Sequence, residues 1–323
     1  MIKTHLQQSI DAGDAASVLM ASESGLYQRY GYGVATEMAE WHLNTREFKL
    51  LTDLNPTVSI RLIHDNAQAA TLLERVYEVA VNARPGGIHR SSDWWPLVLN
   101  EDEKSWFGSG PEFVAVAFDE NNLPCGYTLY KQRGEPALES GHGRVNQQCI
   151  VSEFVALDID TELVLFNYLC RLAMVRELVW SVAPIDPLVR HYMADPRQLW
   201  QHARLDMMWL RPLDLPALFA SMEYPQDGEI LIDYCDPQFE SLCQVWRIII
   251  NNGSATLAKC SRAELETNSH IALDSSALGA IILGTSRVLE LARVGKIIGT
   301  DDAVRRFDQL LNFDQIPFNL SKF

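Results

Sequence analysis

Positive charge is scarce in this sequence. Its 323 residues hold 27 Lys and Arg against 42 Asp and Glu, a formal net charge of 27 − 42 = −15. That deficit argues against a nucleic-acid backbone or an anionic membrane as partner, because both demand clustered cations. It is compatible with a cationic substrate such as an amine. No run of about 18 or more apolar residues occurs, so no helix is expected to span a bilayer. The opening MIKTHLQQSIDAGDAAS has no apolar stretch of signal-peptide type, and the expected location is the cytoplasm. Six cysteines (Cys125, Cys149, Cys170, Cys235, Cys243 and Cys260) form no C-x-x-C and stand beside no His at zinc spacing. Free thiols and no metal are expected. The eight histidines show no H-x-x-x-H. Phosphate-loop, dinucleotide-binding and nucleophile-elbow motifs are also missing, so the usual short catalytic signatures are absent.

What is present is a foldable chain, 47% hydrophobic and 21% charged. Ile2, Leu6 and Ile10 lay one stripe on a helix that ends near Gly13, and Ser17–Ala21 reads as a buried strand. One or two helical turns are expected over 25–30. Gly31 and Gly33 permit a tight reversal, and a strand follows within 36–50. A second unit opens after Asn55-Pro56. It holds a strand at 59–63 and a helix at 66–83 with its stripe on Ala70, Leu73, Val76 and Val79. Strands at 113–118 and 126–130 are joined by the turn residues Asp119–Asn122. A strand from Val145 to Leu157, a helix from Asp160 to Val175 and a strand at 178–182 complete an α/β unit.

A third unit has strands at 228–234 and 244–250, the latter turning at Asn251-Asn252-Gly253. Asp274 suits the N-cap of one helix running through Leu278, Ile281, Ile282, Leu289 and Leu291. A last helix starts at Thr300, with Asp301 and Asp302 at its positive end. Strands first and helices last point to an α+β domain, so the whole chain is of α/β (α+β) class.

The run Ala21–Thr36, ASESGLYQRYGYGVAT, resembles the signature A-S-E-x-x-I-Y-x-R-F-G-Y-G-x-A-T of the enhanced-intracellular-survival (Eis-like) acetyltransferase family. Asp186-Pro187-Leu188 matches a loop of that family's second domain. Met208–Leu218, MWLRPLDLPAL, is similar to its L-W-x-R-x-x-x-V-P-A-A-L link into the last domain. Leu278-Gly279 through Leu283-Gly284, with the ending Ser321-Lys322-Phe323, looks like that last domain. The resemblance covers essentially the whole chain. It implies two tandem GCN5-related acetyltransferase (GNAT) domains and a C-terminal sterol-carrier-protein fold. Laid on this sequence, the boundaries are 1–55 for the C-terminal remnant of a first GNAT domain, 56–214 for a complete second, and 215–323 for the sterol-carrier-like domain. It implies acetyl transfer from acetyl-CoA to amines, among them lysine side chains and aminoglycosides, and a homo-oligomer, in many members a hexamer.

Acetyl transfer to an amine requires a deprotonated nucleophile, a stabilised oxyanion and a proton for the departing thiolate. Tyr27 matches the family's acid. A phenol of ordinary pKa about 10 holds its proton at neutral pH and can pass it to a thiolate of about 8.5. Apart from the resemblance, Tyr27 reads as a core aromatic of a short helix. The carboxylate of Phe323 matches the family's terminal base, although a reference pKa of about 3.3–3.7 makes it better suited to act through water or to orient the ammonium. The apolar ending IPFNLSKF is expected to dock, with Lys322 placing a cation nearby. Ser22 stands where the thioester arm of acetyl-CoA would lie, or else it caps the helix over 23–30.

The pyrophosphate loop of a GNAT domain, R/Q-x-x-G-x-G/A, holds phosphate on backbone N–H groups at a helix N-terminus. The sequence opens inside that helix, so the loop of the first domain is expected upstream of Met1 and this chain alone is expected to bind acetyl-CoA poorly. The second domain offers Leu157–Glu162 at the same junction, with no glycine and three carboxylates, and is expected to bind none. The rival reading is a non-catalytic scaffold, or a lipid or small-molecule binding protein built from the second and third domains.

Overall fold

The computed structural model describes residues 1–99, 112–135 and 146–323. The chain runs through α1 (Ile2–Ala12), β1 (Ala16–Leu19), α2 (Ser24–Tyr27), β2 (Gly33–Asn44), β3 (Ser59–Ile63) and α3 (Asn66–Ala83). Next come α4 (Trp95–Val98), β4 (Glu112–Phe118), β5 (Pro124–Glu135), β6 (Asn146–Ala156), α5 (Ile159–Cys170), β7 (Val175–Ala183) and β8 (Leu199–Pro212). Then follow α6 (Leu215–Ala220), β9 (Gly228–Cys235), β10 (Gln244–Asn251), β11 (Ser254–Cys260), α7 (Glu264–Thr267) and β12 (His270–Asp274). The last elements are α8 (Ser275–Ile281), α9 (Val288–Arg293), β13 (Ile297–Gly299) and α10 (Asp301–Leu310). They form two compact units: residues 1–37 with 206–323, and residues 38–205. The chain leaves the first unit within β2 and re-enters it within β8.

In the 38–205 unit the strand order is β8-β2-β7-β6-β5-β4-β3. Its centre is β6-α5-β7, a parallel pair joined from Gln147↔Val175 to Val151↔Trp180. The pairs β2–β7, β3–β4, β4–β5 and β5–β6 are antiparallel. Just past the last paired residues, Phe154, Phe166 and Trp180 pack ring on ring at 4.9–6.2 Å, filling the interior. Asp119 closes the β4–β5 turn by accepting from the N–H groups of Asn121 and Leu123, and Asn122 takes the positive φ of 63°. Val145, the expected start of the strand now seen as β6, lies outside the described residues.

Helix α3 buries Ala69, Leu73, Val76 and Tyr77, capped by Asp65. Ala70 is only half-buried and Val79 is exposed, a correction to the expected stripe. Tyr77 displaces Val79 because its ring packs edge-on against the buried Trp95 and under Arg90. Helix α5 ends at Cys170, five residues before the expected Val175. Met174 adopts φ 67° and turns the chain straight into β7.

In the other unit β1 pairs antiparallel with residues 209–212 of β8. A five-stranded sheet runs β11-β10-β9-β12-β13, and β12 lies parallel to β9. Strands therefore continue among the helices, which corrects the strands-first order. The β10–β11 hairpin turns at Asn252 and Gly253 with φ of 50° and 75°, as expected of Asn-Gly. Asp274 caps α8 by accepting from the Ala277 N–H. The single helix expected beyond it is two, α8 and α9, broken at Gly284 with φ 90°. Thr300 caps α10 as anticipated, with Asp301 and Asp302 in its first turn. No described helix is long and apolar enough to cross a membrane.

Candidate active site

β1 is short and ends at Leu19, so Ala21–Ser24 must turn the chain into α2. Ser22 lies in that turn and is exposed. The helix is capped by Glu23, with no side-chain cap bond, so the capping alternative for Ser22 falls away. Tyr27 closes α2, half-buried, with its ring edge-on to Tyr32 at 6.1 Å. Both belong to a cluster with Leu6, Trp209 and Leu213. Beneath them Ser17 Oγ and the Tyr32 hydroxyl lie 2.7 Å apart. Burial pushes the Tyr32 phenol up, more than Ser17 lowers it, so it stays a neutral hydroxyl. Ser22 and Tyr27 are thus held on one short turn of one face.

At the other end of the sequence Asn319 and Ser321 are fully buried and Leu320 is nearly so. Asn319 binds Ser321 twice: its Nδ2 donates to the Ser321 carbonyl, and its Oδ1 accepts the Ser321 N–H. The tail docks, as its apolar composition suggested, while Lys322 and Phe323 themselves remain exposed.

The rest of the motif has a packing explanation that sequence reading missed. Four carbonyls between Arg29 and Ala35 accept donors from residues 211–285 of the same unit. Gln238 Nε2 donates to Arg29, Arg211 Nη1 to Tyr30 at 2.6 Å, Ser276 Oγ to Tyr32, and Thr285 Oγ1 to Ala35. Arg211 is wholly buried and pairs with the equally buried Asp236 at 2.7 Å. Gly31 is required twice over: its φ is 82°, and a Cβ would sit 2.1 Å from Arg211 Nη1. A Cβ on Gly33 would stand 2.2 Å from the Ser276 carbonyl, and one on Gly279 2.2 Å from the Leu210 carbonyl. The two glycines let β2 and α8 cross in contact. Arg211 lies inside the quoted MWLRPLDLPAL run, and its long-range partners give no local pattern.

The strand-to-helix junction of the 38–205 unit is closed to anions. Asp158 caps α5, accepting from the Thr161 N–H at 2.7 Å, and Asp160 accepts from Asn55. Glu162 is half-buried, accepts the Val189 N–H at 2.7 Å, and is pushed up to about 7, chiefly by desolvation. A phosphate would find the helix N-terminus already bonded to a carboxylate.

Comparison with known proteins agrees with this geometry. Residues 86–212 match an acetyltransferase (GNAT) domain, and residues 215–319 match a sterol carrier protein domain. The chain is 26% identical over 298 residues to an uncharacterised N-acetyltransferase of Streptomyces coelicolor. It is 27% identical over 308 residues to the N-acetyltransferase Eis of Mycobacterium tuberculosis. Each of these matches covers 92% of this chain and 69% of the relative. Among solved structures, Eis1 of Mycobacterium abscessus superposes with a TM-score of 0.82 at 22% identity, covering all of this chain and 76% of that one. A GCN5-related N-acetyltransferase of Anabaena variabilis gives 0.83 at 15% identity, with the same coverage. Fold and matched domains define a GNAT-type acetyltransferase joined to a sterol carrier protein domain. Within that class, the chain is similar to N-acetyltransferases of the Eis type.

Proposed function

We propose that the chain serves N-acetylation of amines with acetyl-CoA as donor, with its chemistry on the Ser22–Tyr27 turn. The observation that carries this reading is the contrast between that exposed turn, braced from behind by the Arg29–Ala35 seam, and the carboxylate-closed start of α5. A neutral amine attacks the thioester carbonyl, forming the C–N bond. Collapse of the tetrahedral adduct breaks the C–S bond, the thiolate takes the proton of the Tyr27 hydroxyl, and the proton shed by the new amide nitrogen restores the phenol. Ser22 lines the thioester arm. The Phe323 carboxylate orients the ammonium and receives its proton through water. Acceptors are lysine side chains or aminoglycoside-like polyamines, and assembly is homo-oligomeric, as a hexamer. The division into 1–55, 56–214 and 215–323 describes the ancestry of the parts on the same reading.

The test is CoA release across a panel of amines. Tyr27→Phe is expected to lower kcat about 100-fold or more, the usual contribution of a positioned acid, with unchanged circular dichroism. Full activity in Tyr27→Phe would remove Tyr27 from the role. No acetylation of any amine by the wild type would overturn the reading itself.

A further inference from the structure

The acetyltransferase chemistry uses nothing on the face where β8, β2 and β7 lie side by side in the 38–205 unit. There Glu40 and His42 stand two residues apart on β2, so they share one face of that strand. Trp200 and His202 stand two apart on β8 in the same way. His42 Nε2 lies 2.9 Å from Glu40 Oε1, and His202 Nε2 lies 3.8 Å from the same oxygen. The two imidazole rings are 4.6 Å apart. One atom from each of Glu40, His42 and His202 lies within 4.8 Å of the others.

We propose that Glu40, His42 and His202 form a binding site for a divalent transition cation of the zinc class. Two imidazoles and one carboxylate are the donor set such cations favour. At metal–ligand distances of about 2.1 Å, tetrahedral ligand atoms stand about 3.4 Å from one another. The observed 2.9 and 3.8 Å bracket that value. Three protein ligands leave a fourth position for water. His202 is 61% exposed, so a cation can enter from solvent.

The surrounding bonds form the second layer of such a site. The other ring nitrogen of His42, Nδ1, lies 2.7 Å from Glu177 Oε1. Gln148 Nε2 in turn donates to Glu177 Oε2 at 2.7 Å. A carboxylate on the far nitrogen fixes the tautomer of a ligating histidine and turns Nε2 toward the metal. Trp200, with its ring 5.7 Å from that of His42, supplies an apolar flank. The competing reading is a doubly protonated His42 bridging Glu40 and Glu177 as a pure ion-pair network. The position of His202, its Nε2 facing the Glu40 oxygen already next to His42, favours the metal.

The full chain, freed of any affinity tag, should be dialysed against Zn²⁺ and its metal content measured, then titrated with Co²⁺ to read the absorption spectrum. One equivalent bound with micromolar or tighter affinity is expected, with no thiolate charge-transfer band. His202→Ala, at an exposed side chain, should weaken binding at least tenfold while circular dichroism stays unchanged. Glu177→Gln should weaken it about 10–100-fold although Glu177 is no ligand. The Cys235→Ser, Cys243→Ser double variant removes the thiol pair 3.3 Å apart in the other unit and should bind undiminished. No saturable binding at about 100 µM Zn²⁺ would overturn the proposal. So would binding that the cysteine changes abolish and His202→Ala leaves intact.

Discussion

Two turns in this molecule lead from the end of a strand into a helix, and they are built in opposite ways. After β1, residues 22–24 stay exposed, and α2 begins with no side-chain cap. After β6, Asp158 fills the first turn of α5 and Glu162, half-buried, accepts the Val189 N–H. The first leaves backbone and hydroxyl groups available, braced from behind by Arg211. The second spends its polar groups on itself. The lesson is that an α/β scaffold can be kept for packing after its ligand-facing end has been closed by carboxylates. Local bonding marks the difference: α2 starts with no side-chain cap bond, whereas Asp158 caps α5.

The sharpest way to break this comparison is to remove the brace. Arg211→Ala leaves Asp236 buried and unpaired, and loss of one partner of a buried pair costs about 3–5 kcal/mol. Urea unfolding of the variant is expected to show an early transition of the unit that contains residues 206–323. A loss below about 1 kcal/mol would mean that the seam is held by its other bonds.

Next comes Glu162→Gln. The folded-state carboxyl is raised from 4.5 to about 7, so the folded protein binds the extra proton. Its stabilising contribution is whole below about pH 4.5 and is lost as pH rises through about 7. At about 1.4 kcal/mol per unit, the variant should gain up to about 3 kcal/mol on wild type between about pH 5 and pH 8. A pH-independent difference in melting temperature would show that Glu162 is not the group responsible.

Asp158→Ala removes a helix cap and is expected to cost about 1 kcal/mol. It should confer no acetyl-CoA affinity on this junction, since Asp160 and Glu162 remain. Calorimetry finding tight acetyl-CoA binding in this variant would make the carboxylate cap the sole barrier. Smallest of all is Ser22→Ala. Ser22 is exposed and caps nothing, so stability should move by less than about 0.5 kcal/mol. Any effect belongs in KM for the acetyl donor, which steady-state kinetics resolves.

Much of this architecture is legible in the residues. The stripe Ile2, Leu6, Ile10 and Gly13 delimits α1, Asp274 and Thr300 sit on their caps, and Asn252-Gly253 turns its hairpin. These depend on neighbours within a few positions, where side-chain spacing and φ preferences act directly. β8 is less legible. Its sequence LWQHARLDMMWLRP has charged residues facing solvent along half its length, and it is a strand because β1 pairs with its end. Helix α9 separates from α8 at a glycine whose positive φ no local pattern requires.

Taken alone, the sequence determined the class of the protein: an acid-rich α/β chain carrying the Tyr27 motif and no phosphate-binding glycines at 157–162. Those properties reside in composition and in contiguous residues. Only the tertiary structure decided why Gly31 and Gly33 are glycines, since Arg211, Ser275 and Ser276 press on them from more than 170 positions away. It alone placed His42 beside His202 and set Glu162 where desolvation raises its carboxyl to about 7. Each of these is set by what the fold brings within a few ångströms, which spacing along the chain does not encode.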